Sequence, residues 1–187
     1  MKVKIENEIE IPKGVTVSRN MGILVVKGAK GEIKRPAEKV KVEWKREADK
    51  ITIFCKKATK REKRAINTFA AHLKNMIIGV QKPFIYKLKI CSGPPQSHFP
   101  MQVTCTGGAF TVKNFLGEKV PRVRKITEGV NVKVAGNDVT IESADLELAG
   151  RTASDIEQLV RISDKDKRTF QDGIYVIEKP ETGAKNE

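Results

Sequence analysis

Apolar residues recur at every second position through much of the chain, and that period marks strands half-buried against a core. Val3, Ile5, Ile9 and Ile11 hold odd positions, Val15 and Val17 continue after Pro12 and Gly14, and Ile23 to Lys27 runs into a turn bounded by Gly28 and Gly31. Val40, Val42 and Trp44 then alternate with charged residues, and Ile51, Ile53 and Cys55 return on a strand paired with them. The period next lengthens to between three and four. Ile66, Phe69, Ala70, Leu73, Met76 and Ile77 form one stripe of a helix, which Thr59 and Glu62 open as a capping box. Gly79 and Pro83 predict its end and a linker between them.

The whole pattern then repeats. Phe84, Tyr86, Leu88 and Ile90 alternate as a new first strand, and residues 92–100 read as a loop through Gly93, Pro94 and Pro95. Gly107 and Gly108, flanked by Val103, Cys105, Phe110 and Val112, predict a tight hairpin, and a second joins Val130–Val134 to Val139–Ile141. Ser154 and Glu157 have the spacing of a second capping box. Val26, Lys27, Gly31 and Glu32 reappear 86 residues on as Val112, Lys113, Gly117 and Glu118. Ile66, Phe69 and Leu73 fall on Ala153, Ile156 and Val160 at an offset of 87. So long a period excludes a solenoid. The predicted fold class is α+β, with two tandem similar domains, each a small antiparallel sheet packed with one helix. The domains are placed at 1–83 and 84–180, with a polar, disordered tail at 181–187.

Composition narrows the function. The 187 residues allow two small domains and no large enzyme. No apolar run is long enough for a membrane span, and the opening residues lack the apolar stretch of a secretory leader, which predicts a reducing compartment. Three cysteines, Cys55, Cys91 and Cys105, are odd in number and form no CxxC, so neither a disulfide framework nor a metal site is predicted. Cys55 reads as a buried structural thiol on the face of Ile51 and Ile53. His72 and His98 lie in different halves with no nucleophile context, Asp164 and Asp166 alternate with cations, and no phosphate-loop ending follows Gly31; no catalytic residue and no cofactor is predicted.

The net charge is +13, and it is uneven: residues 1–90 carry 23 Lys and Arg against 9 Asp and Glu, whereas residues 91–187 carry 13 against 14. Lys56, Lys57, Lys60, Arg61, Lys63 and Arg64 crowd the start of the first helix, where the helix dipole disfavours cations. A phosphate backbone would offset that cost. Aromatic residues make up only 5%, so recognition by shape and phosphate position is predicted, not base stacking.

From Gln158 to Lys179 the chain reads QLVRISDKDKRTFQDGIYVIEK. With Asn75 to Ile77, Gly79 and Val80, His98 to Pro100, Asn114 to Lys119, and Arg122 to Arg124, this stretch resembles the universal large-subunit ribosomal protein six family, in its eukaryotic and archaeal branch. The resemblance implies two similar domains and a structural protein, not an enzyme, that braces large-subunit rRNA near the sarcin–ricin loop and the translation-factor site. It implies neighbouring large-subunit proteins as partners, no membrane, and a cytoplasmic ribosomal location with nuclear and nucleolar passage during assembly. A free RNA-binding accessory module is the alternative. By the resemblance, RNA contacts concentrate in the second domain, at Lys165, Lys167, Arg168 and Lys179, with Lys119, Arg122, Arg124 and Lys125 as a second strip; Lys60, Arg61, Lys63 and Arg64 in the first domain are candidates from their charge cluster, in a segment that departs from the family pattern. Phe170, Asp172, Gly173 and Tyr175 are assigned to the structural turn of that signature, with Asp172 and Gly173 as a tight turn needing positive φ.

Overall fold

A computed structural model of the chain describes residues 3–20, 22–36, 43–46, 50–92 and 100–182. Val40, Val42, the turn at 93–95, His98, Phe99, the tail 183–187 and the side chains of Lys56 and Lys57 lie outside the described residues. The chain divides after Pro83, and the second unit runs Phe84–Glu181.

The first unit contains β1 (Val3–Glu10), β2 (Thr16–Asn20), β3 (Ile23–Gly28), β4 (Gly31–Pro36), β5 (Glu43–Arg46), β6 (Lys50–Ala58) and α1 (Lys60–Gln81). Its two sheets, in the orders β1-β6-β5 and β2-β3-β4, are antiparallel throughout. Strand β4 has a single buried apolar residue, Ile33, opposite Val26, so its alternation is too thin to stand out in the sequence. The α1 stripe packs against β1 and β6 of one sheet and β3 and β4 of the other. Ile66, Leu73 and Val80 of the helix and Val17, Leu24, Val26, Ile51 and Ile53 of the strands are all buried from water, each such side chain contributing about 1.5–3 kcal/mol. Phe69, predicted on the same stripe, is only half-buried, and so is Cys55, whose cross-strand partner Ile5 also lies at the rim of the core.

The ends of α1 follow different rules. At its start the Glu62 carboxylate accepts the Thr59 N–H at 2.8 Å and the Thr59 hydroxyl accepts the Arg61 N–H, closing the capping box. The Thr59 hydroxyl also donates to the Glu62 carboxylate, and this bond first, with that from the Thr59 N–H, holds the Glu62 carboxyl below the usual glutamate range. The far end corrects the sequence reading: Gly79 is buried inside the helix, which continues to Gln81. The β3–β4 turn is what meets it. The Lys30 N–H donates to the Val80 carbonyl at 2.9 Å, satisfying one of the orphan acceptors of a helix C-terminus. Gly28 permits this approach, since a Cβ there would stand 2.7 Å from Val80 Cγ2 and 3.0 Å from its carbonyl oxygen.

The second unit repeats this plan with β7 (Phe84–Cys91), β8 (Gln102–Thr106), β9 (Ala109–Lys113), β10 (Arg122–Lys125), β11 (Asn131–Ala135), β12 (Asp138–Ser143), α2 (Leu146–Leu159) and an added strand, β13 (Gly173–Glu178). The orders β10-β9-β8 and β11-β12-β7-β13 reproduce those of the first unit with β13 appended beside β7. Gly107 and Gly108 both have positive φ and make the two-residue hairpin turn between β8 and β9. Leu88, Phe110, Phe115, Val139, Ile141, Ile156 and Ile174 fill the core under α2.

Two local expectations are overturned in this unit. Helix α2 begins at Leu146, with the Asp145 carboxylate accepting the Glu147 N–H at 2.9 Å, so Ser154 and Glu157 lie within the helix; the spacing of a capping box is also that of any exposed i, i+3 pair on a helix. Asp172 and Gly173 form no tight turn. Gly173 is the first residue of β13, paired with Cys91 and without positive φ. Its lack of a Cβ matters for another reason, because a Cβ there would stand 2.9 Å from the Tyr175 ring.

Replacing Gly28 by Ala should lower the stability of the first unit by about 1–3 kcal/mol through overpacking against Val80, read as an earlier urea midpoint by Trp44 fluorescence. An unchanged midpoint would show that the turn shifts away without cost.

Candidate nucleic-acid interface

The segment that connects β9 to β10 has an unusual backbone. Asn114 and Leu116 have φ of 58° and 50°, and Gly117 follows at 81°. A left-handed non-glycine residue costs roughly 1–2 kcal/mol. In return Phe115 is buried between them, and Glu118 comes to face Arg122 one strand entry later.

Arg122, predicted as an RNA contact, is engaged inside the unit. Its Nε and Nη2 donate to the two Glu118 carboxylate oxygens at 2.8 and 2.5 Å. Its Nη1 donates to the carbonyls of Leu159 at 2.8 Å and Arg161 at 3.0 Å, where α2 ends, and the guanidinium carbon lies 4.4 Å from the centre of the Phe115 ring. The planar fork of arginine suits this arrangement and a lysine would not. The hydrogen bonds from Arg122, more than any other influence, hold the Glu118 carboxyl below the usual glutamate range, and the charge of Lys165 adds to the effect.

That last interaction brings two of the predicted groups together, the strip after β9 and the signature segment after α2. Lys119, Arg124 and Lys125 are exposed on the strip. Arg124 pairs with Asp155 of α2 at 2.7 Å, so part of its charge is already neutralised. Lys119 and Lys125 carry no ion pair among the described residues. In the signature segment Lys165, Lys167 and Arg168 are all exposed. The Asp166 carboxylate accepts the Arg168 N–H at 2.9 Å, and the Thr169 and Phe170 N–H groups bond the Asp166 carbonyl, which gives the loop a fixed turn. Lys165 Nζ lies 5.2 Å from the centre of the Phe170 ring. Lys179 is exposed just past β13.

Phe170 and Tyr175, assigned from the sequence to the structural turn, are not buried there; 37% of Phe170 and 44% of Tyr175 remain exposed. The Tyr175 hydroxyl donates to the Gln171 carbonyl at 3.2 Å, and partial burial raises its pKa, with Cys91, Asp172 and Glu157 adding to the rise. Asp172 is buried at the start of β13. Sequence reasoning missed Glu118, Asp155 and Arg161. The i, i+4 spacing of Glu118 and Arg122 was the one local signal available.

Lys60, Arg61, Lys63 and Arg64 belong to the first unit and are exposed along the first turns of α1. Glu62 is the only acidic residue in that first turn. Elsewhere in this unit Arg35 Nη2 donates to His72 Nε2 at 3.1 Å, which makes that ring nitrogen an acceptor, and no grouping among the described residues could hold a metal ion. No described helix is long and apolar enough to cross a membrane.

A family profile described as Ribosomal protein L6 matches residues 11–83 and again 99–173, once in each unit. Large ribosomal subunit protein uL6 of Methanosarcina mazei is 41% identical over 183 residues, covering 96% of this chain and 99% of the relative. The protein of that name from Methanococcus vannielii is 41% identical over 175 residues, with 94% of each chain covered. That from Nanoarchaeum equitans is 43% identical over 183 residues, covering 94% of this chain and 93% of the relative.

Arg122→Lys should destabilise the second unit by about 2 kcal/mol, since the fork to Glu118 and the bonds to the end of α2 cannot all be remade; faster hydrogen exchange at the C-terminal amides of α2 checks this. The Glu118 interaction stabilises the fold above the ordinary glutamate pKa of about 4.3 and is lost as pH falls through the lowered value. Glu118→Gln should therefore show a shallower loss of stability in that acid range. Equal slopes in the two proteins would remove the ion pair from the account.

Proposed function

The chain belongs to the ribosomal protein L6 family, and from that premise we propose that it binds and braces large-subunit rRNA beside the sarcin–ricin loop and the translation-factor site. As a family member it is a structural constituent of the large ribosomal subunit and not an enzyme, located with the cytoplasmic ribosome among rRNA and other large-subunit proteins. The observation that carries the reading is the match of both units to one family, with identity above 40% across nearly the whole chain.

Within that role the second unit is the principal RNA-binding domain. Lys165, Lys167 and Arg168 contact phosphates from the signature loop, supported by Lys179 and by Lys119, Arg124 and Lys125 on the adjoining strip. Arg122 holds the two together. Lys60, Arg61, Lys63 and Arg64 make a secondary set of phosphate contacts from the first unit, where bound phosphate relieves the repulsion between cations and the start of α1. Translation factors are neighbours, not ligands. In a nucleated host, passage through the nucleus and nucleolus during assembly completes the reading.

Lys165, Lys167 and Arg168 changed together to Ala should weaken binding to large-subunit rRNA and flatten the dependence of log affinity on log salt by about one unit per lost contact. Unchanged affinity and slope in a filter-binding titration would remove these residues from the interface. In a sedimented cell extract the chain should travel with the large subunit near unit stoichiometry after a moderate salt wash. Release into light fractions would favour a loosely associated accessory role.

A further inference from the structure

The second unit has a groove of about 450 Å³ where the end of α2, the signature segment and the start of β13 meet. That volume falls within the ~300–1,000 Å³ of sites that enclose small ligands. Its wall combines the rings of Phe170 and Tyr175, the cations Arg161 and Lys167, and the carboxylates of Glu157 and Asp172. Phe170 and Tyr175 are the only exposed aromatic side chains among the described residues. Both line this one groove.

The rings are held before any ligand arrives. Gly173 leaves room for the Tyr175 ring to lie against the backbone, and the Tyr175 hydroxyl is bonded to the Gln171 carbonyl. Lys165 lies over Phe170. Rings fixed in this way lose little freedom on binding. The rings identify the ligand class. A nucleobase offers a π-face together with donors and acceptors, which a bare phosphate lacks, and Arg161 and Lys167 stand beside the rings to take its phosphate.

We infer that this groove holds one unstacked nucleotide of the bound RNA, with its base against Tyr175 and Phe170 and its phosphate at Arg161 and Lys167. The inference rests on the RNA-binding reading above and deepens it, because a paired helix cannot present such a base without opening. The signature segment thus recognises an unpaired or bulged site, beyond tracking the backbone.

The test uses the intact chain with three probes: an adenine RNA hexamer, a blunt RNA duplex long enough to remain fully paired, and adenosine monophosphate. Tyr175→Leu and Phe170→Leu should each weaken hexamer binding by about tenfold and leave duplex binding unchanged, while Tyr175→Phe, which keeps the ring, should retain most of it. Hexamer binding equal to that of the unaltered chain in both leucine variants overturns the inference, as does an equal loss on the duplex. Adenosine monophosphate binding as tightly as the hexamer would make a free nucleotide the occupant and also overturn it. Large-subunit rRNA bound by the unaltered chain and equally by both leucine variants would remove the groove alone; no rRNA binding by the unaltered chain would remove the proposed function with it.

Discussion

The guanidinium of Arg122 determines how the cationic surface of the second unit is arranged. A helix end leaves carbonyls without partners, and here those of Leu159 and Arg161 are satisfied by a side chain from β10. The same group clamps Glu118 and lies over Phe115. The left-handed backbone at Asn114 and Leu116 is tolerated because it delivers these two residues to that clamp. Lys165 then lies close enough to Glu118 to lower its pKa. Residues 37 and 39 positions away from Arg122 in sequence join its strip in one surface because a single arginine has donors for both.

Duplication explains much of the remaining architecture, and the departures from it are informative. Both units have the same strand order and place one helix over the sheets. Among the described residues of the first, β1 pairs with β6 on one side only, whereas its counterpart β7 is flanked by β12 and β13. The added strand covers an edge that would otherwise invite pairing with other chains. It also carries Gly173 and Tyr175, so the extension that closes the sheet builds one wall of the groove.

Net charge does not show where cations are concentrated. The first ninety residues hold the excess of cations, yet the second unit concentrates Lys165, Lys167 and Arg168 on one fixed turn. Its acidic residues are partly consumed in pairs such as Glu118 with Arg122, Asp155 with Arg124 and Glu178 with Lys87. A phosphate responds to the charges within about a Debye length of it, ~8–10 Å at physiological ionic strength, and not to the total.

Alternation of apolar residues, a change of period at Ile66 and a repeat near 87 residues were enough to determine two α+β units and most of their strands, because burial of one face imposes a period that any reader of the chain can see. The capping box at Thr59 and the turn at Gly107 and Gly108 were equally legible, being local in sequence. The start of α2 was not, since the same spacing of Ser154 and Glu157 serves a cap or a mid-helix pair. Tertiary structure alone decided that Gly79 lies within α1, that Gly28 faces Val80, that Gly173 makes room for Tyr175, and that Arg122 binds its own domain. Each of these depends on what lies across from the residue in space, and a linear pattern records only which face a residue occupies, not which neighbour it meets there.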